Sequence, residues 1–263
     1  MTTSTTLWTQ GQVNVAGLAL RYREAGEGDP VVVLPHETGL PPRTPFHDAL
    51  SLHNRVIAPT FPGFDGSQRP DWMRSVRDLA VCVGYFLDRL DLDGVTLVGL
   101  GFGGWVAAEL ATMRPSHVRR LALVGSFGLQ PNEGEILDQF LLAHEDYVRR
   151  GFCDADAYGV VYDGAATVEQ LLQWDINREM TARIAWKPYM FSQTLPELLA
   201  GVTAPTLVAW GQEDAVAPLE CAEQFAAAIP NAQLQVFDAA GHFVELEQAL
   251  ALADAVHELI GSR

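Results

Sequence analysis

Short, unbroken apolar runs punctuate this chain at intervals that leave room for a helix between them. Val31-Val32-Val33-Leu34, closed by Pro35, predicts a strand buried on both faces, and Arg55-Val56-Ile57-Ala58-Pro59 predicts a second. Ahead of them, positions 12–23 alternate apolar and polar residues, as two short antiparallel strands broken near Gly17 would. Leu79, Cys82, Val83, Phe86, Leu87 and Leu90 recur at helical spacing and predict an amphipathic helix. Val95 to Leu100 then predicts a strand, and Trp105 to Met113 a largely apolar helix that stops before Pro115. Leu121-Ala122-Leu123-Val124-Gly125 predicts another strand.

From about Leu129 to Thr203 the rhythm changes. The chain there is polar and helical, with one helix expected over Ile136 to Arg150 and another within Val168 to Ile184. Strand and helix alternate again from Thr206-Leu207-Val208-Ala209-Trp210, through Leu219 to Ile229, to Gln233-Leu234-Gln235-Val236-Phe237. A last helix is expected to carry Leu246, Leu250, Ala253, Val256 and Ile260 on one face. Such alternation builds a mostly parallel sheet with right-handed crossovers. The expected architecture is an α/β core made of residues 1–128 and 204–263, with residues 129–203 inserted as a helical cap.

Composition narrows the partners. Apolar residues make up 48% of 263 and charged ones 19%, the balance of a globular chain with a sizeable core. The 33 Asp and Glu against 17 Lys and Arg give a net charge of -16, which repels nucleic acid and anionic membrane surfaces. Neither is expected as a partner, and a small molecule is. Cys82, Cys153 and Cys221 are scattered, as reduced thiols would be. No secretory signal is visible at Met1 to Trp8, so a cytoplasmic location is expected. Oligomeric state leaves no trace in these patterns.

The chemistry concentrates at four turns. Val95 to Trp105 reads as strand, sharp turn and helix, the pattern G-x-S-x-G with Gly101 where a serine hydroxyl would stand above the sheet. Trp210-Gly211-Gln212-Glu213-Asp214 places a carboxylate just past a core strand. Ala239-Ala240-Gly241-His242-Phe243 places an imidazole after the last strand. His36-Glu37-Thr38-Gly39 follows the first buried strand. On these turns, and over nearly its whole length, the chain resembles the α/β-hydrolase superfamily. The resemblance is to the capped kind that includes C-C hydrolases, haloperoxidase-like esterases and epoxide hydrolases.

The resemblance implies that Asp214 orients His242, that His242 is a general base, and that the amides of Phe102 and Thr38 form an oxyanion hole. It implies no cofactor. The chain also departs from the pattern. Gly101 stands at the nucleophile position, Glu37 where a glycine is usual, Thr60 where Asp is common and Asp65 where Gly is common. His36 is expected to pack beneath its loop, and Glu37 to be either a salt-bridged support or a pocket acid. Ser126 and Trp186 are further pocket candidates. His36, Glu37 and His242 have no recognised metal-ligand spacing, so no metal is expected.

Gly99-x-Gly101-x-x-Gly104 also fits a dinucleotide fingerprint. The next strand ends in Val124-Gly125-Ser126 without the ribose-binding acid, and two buried strands precede the motif, which argues against that reading. Two functions remain. In one, an absent hydroxyl leaves room above Gly101 for water or substrate, and the His242–Asp214 pair acts without a covalent intermediate, in hydrolysis, a lyase reaction or isomerisation. Restoring a serine at 101 is then expected to restore a nucleophile. In the other, the chain is a non-catalytic ligand-binding or signalling protein, resembling the N-myc downstream-regulated proteins, which share the fold and lack a serine at the elbow.

Overall fold

The computed structural model describes residues 7–38, 44–154, 156–161 and 166–262. Eight strands form one sheet: β1 (Thr9–Val15), β2 (Leu18–Ala25), β3 (Pro30–Leu34), β4 (Arg55–Pro59), β5 (Val95–Leu100), β6 (Val118–Val124), β7 (Thr206–Gly211) and β8 (Ala232–Phe237). Their spatial order is β1-β2-β4-β3-β5-β6-β7-β8. β1 pairs antiparallel with β2, and β2 with β4, while every pairing from β4 through β8 is parallel. This is the α/β-hydrolase fold expected from the sequence.

Period-two alternation divides β3 between two cores. Val31 and Val33 face the helices α1 (Pro45–Ser51) and α10 (Ala249–Gly261), packing with Phe46, Leu50, Leu252 and Val256. Val32 and Leu34 face α2 (Val76–Arg89) and α3 (Phe102–Met113), in a cluster with Leu79, Phe86, Val106 and Leu110. Every residue of β5 and β7 is buried, which is why their sequences are apolar runs rather than alternating ones. Each fully buried valine or leucine there contributes about 1.5–3 kcal/mol.

Helix ends follow local chemistry. Ser75 caps α2 by accepting from the amide of Asp78, whose carboxylate accepts from the Ser75 amide in return. The glycines before and inside α3 permit close approach: a Cβ on Gly99 would lie 2.5 Å from the carbonyl oxygen of Gly103, and one on Gly103 would lie 2.5 Å from that of Leu34. These packing needs account for the glycine-rich motif without any dinucleotide.

Between β6 and β7 the described chain forms α4 (His144–Arg150), α5 (Ala157–Val161), α6 (Val168–Ala185) and α7 (Leu195–Leu198). The helix expected over Ile136 to Arg150 begins only at His144. Upstream, the amides of Leu137, Gln139 and Phe140 donate to the Val216 carbonyl, the Tyr189 hydroxyl and the Asp138 carboxylate instead of to helical carbonyls. The expected last helix is likewise two, α9 (Val244–Glu247) and α10, parted at Gln248, whose ψ is 41°. Leu250 lies off the core face of α10 and is 68% exposed, while Leu252 enters the core. α6 is tied to the core through Asp65, which takes up φ 51° in its turn and exchanges hydrogen bonds with Asn177. No helix of the described residues is long and apolar enough to cross a membrane.

α1 escaped the sequence pattern, and it carries a buried histidine. His47 hydrogen-bonds the hydroxyl of Thr44, and burial, only partly offset by Glu245 and Asp48, pushes its pKa down to about 4. The unfolded chain therefore binds a proton near pH 6.5 that the folded chain refuses. Stability contributed by neutral His47 is complete above that pH and is lost as pH falls towards about 4, by on the order of 3 kcal/mol. Urea midpoints measured at pH 7.5 and pH 5 should show a smaller acid loss in His47→Asn than in the natural protein; equal losses would refute this origin.

Candidate active site

Four strands deliver the candidate residues to the carboxyl edge of the parallel sheet, where α/β folds collect their ligands. His36 and Glu37 follow β3, Gly101 ends β5, Asp214 follows β7 and His242 follows β8. Gly101 has φ 50° and ψ -112°, a conformation that costs a residue bearing a side chain on the order of 1–3 kcal/mol. Glycine adopts it without that penalty.

His242 and Asp214 meet as the sequence predicts. Nδ1 of His242 lies 2.9 Å from Oδ2 of Asp214, and both side chains are fully buried. The other carboxylate oxygen accepts from the amides of Val216 at 2.8 Å and Ala217 at 2.9 Å, which fixes the acid before it meets the ring. Burial alone disfavours a charged imidazole, but Asp214, with Glu37 and Glu245 beyond it, outweighs burial and raises the His242 pKa. Nε2 is buried and has no hydrogen-bond partner among the described residues.

The space above Gly101 is filled. A Cβ built there would run into Nδ1 of His36, with the neighbouring ring carbon at 2.8 Å and Glu37 Oε2 at 3.2 Å. His36 therefore does not pack beneath its loop; its ring stands over the turn, 5.2 Å centroid to centroid from His242. Glu37 is fully buried and has no arginine or lysine partner among the described residues, with His36 Nδ1 at 3.9 Å from its Oε2. Its Oε2 accepts from the Phe102 amide at 3.4 Å, so the amide expected at an oxyanion hole is turned to a carboxylate of the protein itself. That carboxylate sits at the positive end of α3, where no side chain of Gly101 can cap the helix. Thr38 is buried beside it, and Gly39 lies outside the described residues.

Two candidates fall elsewhere. Ser126 is buried, but its side chain lies against Gly104 of α3, so it neither rims the pocket nor replaces the missing nucleophile. Trp186 is 51% exposed and packs on Phe140 and Tyr189, away from the buried cluster. A cavity of about 580 Å³ lined in part by Trp8, Arg21, His47 and Asp65 is likewise separate from the cluster.

Sequence reasoning missed two residues. Tyr147 of α4 donates its hydroxyl to Glu37 Oε1 at 2.8 Å, and burial, reinforced by Glu37, raises its pKa and keeps the proton in place. Glu245 of α9 brings Oε1 to 3.1 Å from Nε2 of His36. A tyrosine in a polar helix and a glutamate three residues after His242 carry no signal of their own. The His242 loop is also fastened to the end of α4: the His242 amide donates to the Gly151 carbonyl at 2.7 Å, and Glu247 accepts from the amides of Gly241 and Cys153.

Comparison with known proteins agrees with this fold. A model of the alpha/beta hydrolase family matches residues 31–255. The chain is 30% identical to a 2-hydroxymuconate semialdehyde hydrolase of a Pseudomonas species, across 95% of this chain and 93% of the relative. It is 29% identical to a 2-hydroxy-6-oxo-2,4-heptadienoate hydrolase of Pseudomonas putida, across 95% of each. A mutant meta-cleavage product hydrolase (CumD) shares the fold with TM-score 0.79 at 23% identity, covering 95% of this chain and 97% of that one. A serine hydrolase involved in carbazole degradation (CarC enzyme) does so with TM-score 0.78 at 25% identity, covering 98% of this chain and all of that one.

Because His36 occupies the space a side chain at 101 would need, Gly101→Ser is expected to destabilise the protein rather than restore a nucleophile. Backbone strain and overpacking each cost about 1–3 kcal/mol. Adding His36→Ala should recover the overpacking share in urea denaturation. A Gly101→Ser protein as stable as the natural one would show that the ring does not sit there.

Proposed function

We propose that this chain, which belongs to the alpha/beta hydrolase family, is a hydrolase that works without a covalent serine intermediate on a small, largely apolar carbonyl compound. The observation that carries this reading is the state of His242: Nδ1 is committed to Asp214, while Nε2 is buried, unpartnered and turned to the cluster that holds Glu37. No hydroxyl or thiol among the described residues reaches Nε2. A water admitted to the cluster is then the nucleophile, and it is activated there directly rather than through an alcohol side chain. Attack by that water on a carbonyl carbon replaces the two-step covalent route. The hydrolase names of the relatives favour hydrolysis over lyase or isomerase chemistry.

Access is the constraint on this reading. Glu37, His36 and His242 are fully buried, so substrate enters only when the segment carrying α4 and Tyr147, read as a cap, moves off the carboxyl edge of the sheet. The same burial favours a second reading, a ligand-binding protein on this fold whose filled elbow is a support rather than a reaction centre.

A panel of small oxo acids, including 2-hydroxy-6-oxo-2,4-heptadienoate, together with simple esters separates the two. On the hydrolase reading a member is turned over, His242→Ala lowers kcat/KM by about 10²–10⁴-fold, and a fluorophosphonate fails to label the protein. Turnover unaffected by His242→Ala, or stoichiometric labelling, removes the reading. Binding of panel members with no turnover establishes the second one.

A further inference from the structure

We infer that His36, Glu37 and His242 are the ligands of a divalent transition-metal ion, with zinc the expected occupant. One donor atom from each of the three lies within 4.8 Å of the other two, and all three residues are fully buried. Two imidazole nitrogens and one carboxylate oxygen, with further positions open, are a donor set that suits zinc and other divalent first-row ions.

Hydrogen bonds from behind already orient two of the three donors, and a carboxylate approaches the third. Nδ1 of His242 is held by Asp214 at 2.9 Å, which leaves Nε2 for the ion. Nε2 of His36 faces Glu245 at 3.1 Å, which leaves Nδ1, and this atom is 3.9 Å from Glu37 Oε2. Glu37 Oε1 takes the hydroxyl of Tyr147 at 2.8 Å, and Oε2, with only the long 3.4 Å contact from the Phe102 amide, faces the imidazoles. Carboxylates and hydrogen bonds behind the ligating atoms are what metal sites use to set tautomer and ring orientation. His242 Nε2 and both ring nitrogens of His36 are buried with no hydrogen-bond partner among the described residues, as are both carboxylate oxygens of Glu245. Orphaned nitrogens at a buried site carry a desolvation cost that a bound cation removes.

Charge points the same way. The side chains of Asp214, Glu37 and Glu245 are all fully buried, and none pairs with an arginine or lysine among the described residues. Two imidazoles do not offset three interior carboxylates, whereas a dication added to them brings the cluster close to neutrality. Ligands about 2.0–2.2 Å from a tetrahedral ion stand roughly 3.5 Å apart, so binding draws in the widest donor pair by about an ångström.

For catalysis the inference rests on the function proposed above, which it deepens. With an ion bound, Nε2 of His242 would hold the metal instead of taking the proton, and the ion would supply the lowered water pKa, about 7, with the proton passing to bulk water. Ion binding itself is measured without turnover.

The test uses the full-length, tag-free protein, stripped with chelator and titrated with Zn²⁺ and Co²⁺ by calorimetry and visible absorbance. The natural protein should take up about one equivalent per chain and melt at a higher temperature with metal present. His36→Ala, Glu37→Gln and His242→Ala should lose that uptake, and Asp214→Asn and Glu245→Gln should weaken it by about 10–100-fold. Circular dichroism identifies any variant that does not fold, and uptake by the natural protein decides alone in that case. No uptake by the natural protein, or uptake unchanged in folded ligand variants, overturns the site. Turnover that persists in chelator without uptake refutes the metal but not the hydrolase, and uptake without turnover of any panel member does the reverse.

Discussion

A missing Cβ is the constraint on which this molecule's buried polar cluster depends. At the turn from β5 into α3 the backbone takes φ 50°, and a side chain there would run into the ring of His36. Glycine removes both the strain and the collision. It lets His36 and Glu37 settle over the turn, with Glu37 reaching the first amide of α3. The position usually read as an absence is therefore a filled volume. Its contents are an imidazole and a carboxylate rather than an alcohol.

That filling concentrates buried polar groups in a way that needs strict partnering. Asp214, Glu245 and Tyr147 each engage one atom of the His36–Glu37–His242 set. The three partners come from different parts of the chain: the loop after β7, helix α9 and helix α4. α4 thus contributes at two points, through the Tyr147 hydroxyl and through the Gly151 carbonyl that holds the His242 amide. A movement of the segment between β6 and β7 would alter Glu37 and the His242 loop together. The position of that segment and the arrangement of the cluster are coupled by construction.

The scaffold remains conventional around this centre. The apolar strands β5 and β7 are buried between two helical layers, and their carboxyl ends hold Gly101 and Asp214 in a fixed relation. Close packing transmits this rigidity, because Gly99 and Gly103 bring α3 within contact of β3 and β5. Different chemistry at the same strand ends needs no change in that frame, which is how one fold serves many reactions.

Most of the frame could be read from the chain alone. Runs such as Val31 to Leu34 and Thr206 to Trp210 fix strands because only a sheet covered on both faces buries them throughout. The turn chemistry around Gly101, Asp214 and His242 was legible for the same local reason, and the His242–Asp214 hydrogen bond followed from it. What the sequence could not carry was decided by contacts between distant segments. Helix α4 starts late because amides at 137 and 139 find partners at 216 and 189. Leu250 faces solvent because Leu252, Ala253 and Val256 of the same helix take the core face. The seat of His36 above Gly101, and the arrival of Tyr147 and Glu245 behind the cluster, depend on side-chain volume and burial in three dimensions. Local pattern specifies which elements form, and only tertiary packing specifies which polar atoms meet once water has been removed.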